Sequence, residues 1–236
     1  MEKGNGDLKQ RIKTITGSLP PHVLLVAASK TRSEGEVKTA IASGITAIGY
    51  NYVQEADAVR QALKEWEMRD APHHVQWHLI GHLQRNKANK AVELFDMIET
   101  IDSLRIAEVV NRHCAVIGKT MPVLIEVNSG RESNKTGTPP EEVLSLVRQV
   151  AELSHIKIQG LMTMGPRFGD PEEARPYFRL TKNLFDKMTA ENVPNTEMKY
   201  LSMGMSNSYK QAIEEGANIV RIGTKLFSGV KAEPLA

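Results

Sequence analysis

Short apolar runs, each followed by a longer amphipathic stretch, recur along the whole chain and leave few ways for it to fold. The runs fall at 23–29, 45–48, 75–80, 96–99, 122–127, 156–161, 198–202 and 218–221. Helical patterns lie between or after them at 34–43, 52–68, 83–94, 103–117, 139–153, 172–190 and 207–215, and one more, 7–17, precedes the first run. Asp102 or Ser103, Thr138 before Pro139-Pro140, and Asp170 before Pro171 read as helix starts. Alternation of this kind predicts an α/β protein with a parallel sheet, because parallel neighbours need a crossover between them. Eight units in 236 residues predict a single domain, 1–236, folded as a closed (β/α)₈ barrel with an extra N-terminal helix. A doubly wound open sheet is the alternative, but no Gly-x-Gly-x-x-Gly follows the first run.

Charge narrows the partners. Thirty basic residues against 28 acidic ones leave a formal charge of +2, which gives no reason to expect nucleic acid or a membrane. No apolar run approaches the roughly 20 residues that span a bilayer, and the polar start Met1–Asp7 lacks a secretory h-region. The single cysteine, Cys114, falls in a helical pattern and reads as a buried thiol in a reducing compartment. A cytoplasmic protein is expected.

Barrels of this kind carry their sites at the C-terminal ends of the strands. Lys30 stands there after the first run, behind Ala27-Ala28-Ser29, where small residues would leave room for a bound ring. A lysine buried at a strand end loses hydration, which favours its neutral amine and Schiff-base chemistry; the plainer reading is that Lys30 reaches solvent where the strand stops. After the seventh run, Ser206 precedes a short helical pattern, Asn207–Ile213, whose free N–H groups suit an anion. After the eighth, Gly223 permits close backbone approach and Thr224 adds a hydroxyl. Barrel closure would set Arg221-Ile222-Gly223-Thr224 beside Lys30. A Schiff-base lysine next to a phosphate cup meets the needs of pyridoxal 5′-phosphate (PLP), with Arg221 against the pyridine nitrogen. Arginine cannot accept that nitrogen's proton, so the ring would stay neutral and serve less well as an electron sink.

Val26-Ala27-Ala28-Ser29-Lys30-Thr31-Arg32, Asn51-Tyr52-Val53-Gln54-Glu55, Trp77-His78-Leu79-Ile80-Gly81, Gly160-Leu161-Met162-Thr163-Met164, Leu201-Ser202-Met203-Gly204-Met205-Ser206 and Val220-Arg221-Ile222-Gly223-Thr224 occur in that order. As a set they resemble the pyridoxal-phosphate homeostasis protein family, whose fold is like the N-terminal barrel of alanine racemase. The resemblance implies that Lys30 carries the internal aldimine and that Ser206, Gly223 and Thr224 hold the phosphate. It also implies that Arg221 faces the pyridine nitrogen, that Asn51 lines the pocket near the ring, and that Met203 and Met162 to Met164 form pocket wall. Ser202 is the weaker serine candidate. The chain departs from the family pattern at Tyr50, His82 and Arg85; Tyr50 replaces a glutamate and is expected at the rim. His78 and His82 tempt a metal reading, but His78 belongs to a strand, His82 to the following loop, and no third ligand is evident.

Racemisation is the enzyme alternative that the resemblance brings. It needs acid–base groups on both faces of the cofactor, and in alanine racemase the second is a tyrosine from a C-terminal β-domain. The sequence stops at Ala236, soon after the eighth run, so no such domain is expected here. The favoured reading is a PLP carrier in vitamin B6 homeostasis, without turnover, passing cofactor to PLP-dependent apoenzymes and existing as a monomer or weak homodimer. A Schiff-base aldolase on the same barrel is a further alternative. The basic run Arg85-Asn86-Lys87-Ala88-Asn89-Lys90 reads as a solvated helix face.

Overall fold

A computed structural model describes residues 2–132, 135–165 and 169–227; the remainder of the expected 1–236 domain lies outside the described residues. All eight predicted strands are present: β1 (Leu24–Ala28), β2 (Ala47–Tyr50), β3 (Gln76–Leu79), β4 (Met97–Ile101), β5 (Met121–Val127), β6 (Ile156–Thr163), β7 (Thr196–Ser202) and β8 (Ile219–Ile222). They form one closed barrel in sequence order. β8 returns to pair in parallel with β1, with Val26 opposite Arg221 and Ala27 opposite Ile222.

Helices alternate with the strands on the outside. α1 (Glu2–Gly17) precedes the barrel, and α2 (Glu34–Ala42), α3 (Val53–Arg69), α4 (Ala88–Leu94), α5 (Leu104–Ile117), α6 (Val143–Ala151), α7 (Arg175–Glu191) and α8 (Tyr209–Glu214) follow β1 to β7. A last turn, α9 (Thr224–Phe227), follows β8. Leu8, Ile12 and Ile15 of α1 recur at helical spacing and are buried. Arg11 ties that helix to α9 through the Leu226 carbonyl at 2.7 Å.

Two helix starts differ from expectation. Thr138 does not begin α6; its N–H donates to the Glu126 carbonyl at 2.7 Å, so the residue extends alongside β5 and the helix starts only at Val143. After β3 the chain passes through a 3₁₀ turn, Arg85–Lys87, before α4. Asp170 behaves as expected: its carboxylate accepts the Glu172 N–H at 3.0 Å and Pro171 opens the turn that leads into α7.

The core has an outer and an inner part. Between barrel and helices, one large cluster includes Ile41, Trp77, Phe95, Phe178 and Phe227. Inside the barrel, Val26, Ala47, Ile80 and Ile219 pack with Leu24, Ala28 and Tyr200, and Met97, Leu124 and Met162 form a second patch. Alternation along each strand separates the two parts.

Candidate functional site

On β1, residues Leu24, Val26 and Ala28 share the inward face, so two-residue periodicity gives Lys30 that face just past the strand end. Its loop is fixed from several sides. The Ser29 N–H donates to Gly49 O at 2.8 Å and the Ser29 hydroxyl to Ala27 O at 3.0 Å. Ser33 and Glu36 form a capping box at the start of α2, with Ser33 N–H on Glu36 Oε2 at 2.9 Å. Lys30 itself is exposed. The expectation of a buried, dehydrated amine is corrected: the strand ends two residues earlier, and Lys30 and Thr31 form a turn at the rim.

β8 brings the other predicted residues alongside. Gly223 packs so closely on β1 that a Cβ there would stand 2.9 Å from Ala28 O and 3.2 Å from Ala28 Cβ. Glycine at this position is thus required by the packing of β8 on β1. Ser206 does not cap α8. Residues 206–208 form a turn, closed by the Ser208 N–H on Met205 O at 3.0 Å, and Ser208 holds the N-cap position. The Ser206 hydroxyl instead accepts the N–H groups of Gly223 at 3.3 Å and Lys225 at 3.2 Å. Gly204, at φ 87°, makes the turn possible: a Cβ there would lie 2.5 Å from Ala212 Cβ. Ser206, Gly223 and Thr224 thus meet at one corner of the barrel mouth, and Thr224 is exposed there.

Asn51 follows β2 on the inward register of Ala47 and Gly49 and lies against Gly81, where a Cβ would stand 2.6 Å from Asn51 Cα. Met203 is a correction. It is fully buried in the cluster between barrel and helices, because Tyr200 and Ser202 take the inward positions of β7 and Leu201 and Met203 the outward ones. Met162 is buried inside the barrel with Met97 and Leu124, while Met164 is partly exposed. Tyr50 is also a correction: it is buried in the outer core, stacked on Trp77 with ring centroids 5.8 Å apart, and not at the rim. Its hydroxyl has no partner among the described residues, and burial pushes its pKa well above the usual phenol range.

Sequence reading missed what surrounds Arg221. The guanidinium is buried inside the barrel. Nη1 donates to Ser202 Oγ at 2.5 Å and Nη2 to Thr163 O at 2.9 Å. Ser202 Oγ lies 2.6 Å from Glu99 Oε2, and Glu99 Oε1 lies 2.7 Å from His78 Nδ1. Burial opposes the charge on Glu99, yet hydrogen bonds from His78 and Ser202 and attraction to His78 and Arg221 outweigh it, holding this carboxyl below its usual range. Burial also lowers the Arg221 pKa, an effect that Glu99 and Glu126 offset in part. Glu126 is shifted the other way: burial raises its pKa, Thr136 supports one oxygen at 2.9 Å, and the other has no partner among the described residues. A signal for these residues did exist. Glu99 and Glu126 interrupt otherwise apolar strand runs, and a buried carboxylate requires a partner.

The two histidines are engaged separately. His78 belongs to the buried chain, whereas His82, half-exposed, lies 3.3 Å from Asp102. Arg85 and Asn86 are exposed, and Lys90 pairs with Asp57 at 3.2 Å.

Residues 6–230 match the family described as alanine racemase, N-terminal domain. A pyridoxal phosphate homeostasis protein of Aquifex aeolicus is 38% identical over 203 residues, covering 86% of this chain and 85% of the relative. The chain belongs to the pyridoxal phosphate homeostasis protein family. The structure of PipY from Synechococcus elongatus with PLP bound is similar at a TM-score of 0.84 and 32% identity, covering 94% of this chain and all of PipY. Alanine racemase of Clostridium difficile shares the fold at a TM-score of 0.76 and 16% identity, with 61% of its length covered. Membership of this family and the barrel agree with the sequence reading. Among the described residues no helix is long and apolar enough to cross a membrane.

Proposed function

We propose that this protein binds PLP at the mouth of the barrel and serves intracellular PLP homeostasis as a cofactor carrier. The observation that carries the reading is the juxtaposition of Lys30, on the inward face past β1, with the β8 residues Arg221, Gly223 and Thr224 and the Ser206 hydroxyl. The fit is chemical as well as spatial. Ser206 Oγ already gathers two backbone N–H donors, and Gly223, packed directly on Ala28, holds this corner against β1. Its relative PipY is known with PLP bound.

When bound, PLP supplies an aldehyde that a primary amine can capture as a Schiff base. Lys30 would make that link, and its exposure lets the amine be reached from solvent. Ser206, Gly223 and Thr224 would hold the phosphate, and Asn51 would stand beside the ring. Arg221 would meet the pyridine nitrogen with N–H donors that cannot take its proton, which disfavours carbanion chemistry and supports holding over turnover. Delivery to PLP-dependent apoenzymes in the cytoplasm completes the proposal, with all residues of the 1–236 chain serving one domain.

Borohydride reduction of the PLP-loaded protein followed by peptide mass mapping tests the covalent assignment. Pyridoxyl mass on the peptide containing Lys30, absent from Lys30→Ala, is the expected result. Label on a different lysine overturns it, and sustained racemase turnover abolished by Lys30→Ala overturns the carrier reading.

A further inference from the structure

A guanidinium inside a barrel must be held by something, and Arg221 is held from several strands at once. Ser202 reaches it from β7 and the Thr163 carbonyl from β6. Glu99 of β4 and Glu126 of β5 act on it electrostatically, and His78 of β3 joins through Glu99. The ion pair is not a direct contact. Arg221 Nη1 and Glu99 Oε2 are 3.8 Å apart, with Ser202 Oγ 2.5 Å from the first and 2.6 Å from the second.

Polarity fixes the direction of every bond in this chain. Ionised Glu99 can only accept, so the Ser202 hydroxyl hydrogen points at Oε2 and its lone pair faces the guanidinium. The same argument places a hydrogen on His78 Nδ1. Two of the five Arg221 N–H groups go to Ser202 and Thr163. With those two anchored, the planar fork has a single setting for the rest. Replacing Glu99 with an amide would leave the Ser202 hydroxyl without an obligatory direction.

We propose that Glu99 is a positioning residue for the bound cofactor: acting through Ser202, it sets the Arg221 guanidinium that meets the pyridine nitrogen. The proposal rests on the PLP reading of the site. It extends the functional set from the strand ends into the barrel interior, to three side chains (Glu99, Ser202 and His78) that need not touch the cofactor.

The test compares Glu99→Gln and Ser202→Ala with Glu67→Gln, which disturbs a half-buried partner of Trp77 outside the barrel. Each variant is titrated with PLP, and the absorption band of the lysine-bound cofactor is followed together with thermal unfolding. Glu99→Gln and Ser202→Ala are expected to weaken PLP binding about tenfold, the size of a lost hydrogen bond to a charged group, and to move the band. Glu67→Gln should lower the melting temperature and leave band and affinity as in wild type. An unmoved band with affinity within about twofold of wild type in both interior variants overturns the proposal. Should Glu99→Gln not fold, Ser202→Ala decides by the same criterion, since it removes one hydroxyl and keeps both charges. A wild-type protein without the band overturns the PLP reading itself, whereas a normal band unchanged by the variants overturns only the role of Glu99.

Discussion

Arg175 and Arg221 show how differently one side chain is used at the surface and inside the barrel. Arg175, at the start of α7, reaches three carboxylates: Glu172 at 2.5 Å, Glu215 at 3.4 Å and Glu214. Arg179 adds a contact to Glu215 at 2.9 Å. These bonds connect the turn before α7 with the end of α8 at the surface, where Glu172, Arg179 and Glu214 are exposed and Arg175 and Glu215 partly so. Arg221 has its nearest carboxylate, Glu99, at 3.8 Å and has lost almost all hydration. Surface pairs gain little because water competes for them, whereas a buried charge depends on each partner it has. Counting ion pairs would therefore rank the two sites in the wrong order.

The largest expected effect lies inside the barrel. Arg221→Met removes one charge of the buried chain and leaves buried Glu99 with His78 and Ser202 alone. Chemical denaturation at neutral pH should show a loss of about 3–5 kcal/mol. A loss no greater than that of Arg175→Ala would break the comparison. The pH dependence has a defined sign. Because the Glu99 pKa is lowered by folding, its contribution is present above the ordinary carboxyl value of 4.5 and is lost as pH falls through the folded value. Thermal unfolding across the acid range should therefore be steeper for wild type than for Glu99→Gln.

Two substitutions should stabilise. Tyr50→Phe removes a buried hydroxyl without a partner and should add about 1 kcal/mol by denaturation. Glu126→Gln should raise the melting temperature at pH 7. Folding raises the Glu126 pKa, so its ionised form is the disfavoured one in the fold. The gain is therefore expected above the usual carboxyl value of 4.5 and should vanish as pH falls below it. The smallest effect is expected for Arg175→Ala, a slight drop in melting temperature that disappears at high salt.

The barrel was legible because period and length act locally. Each apolar run needed a buried sheet position and each amphipathic stretch an outer one, so the strand order followed from chain order. Lys30, Ser206, Gly223 and Thr224 could be placed at the barrel mouth for the same reason, since they stand just past strand ends. Met203 and Tyr50 were misplaced because a strand's two faces are one residue apart. Reading them at the mouth needed the register that pairing with neighbouring strands decides. Ser206 was legible at the mouth, but its partners were not, because the Gly223 and Lys225 amides lie 17 and 19 residues further along the chain.

Sequence by itself determined the eight β/α units, the closure that sets β8 against β1, and a lysine at the first strand end. Tertiary structure alone decided that Glu99 would meet Ser202 across 103 positions of chain, and through it Arg221. The physical reason is the range of the forces involved. Hydrophobic periodicity is written within each element, while the pairing of buried charges depends on which inward faces the closed barrel brings together.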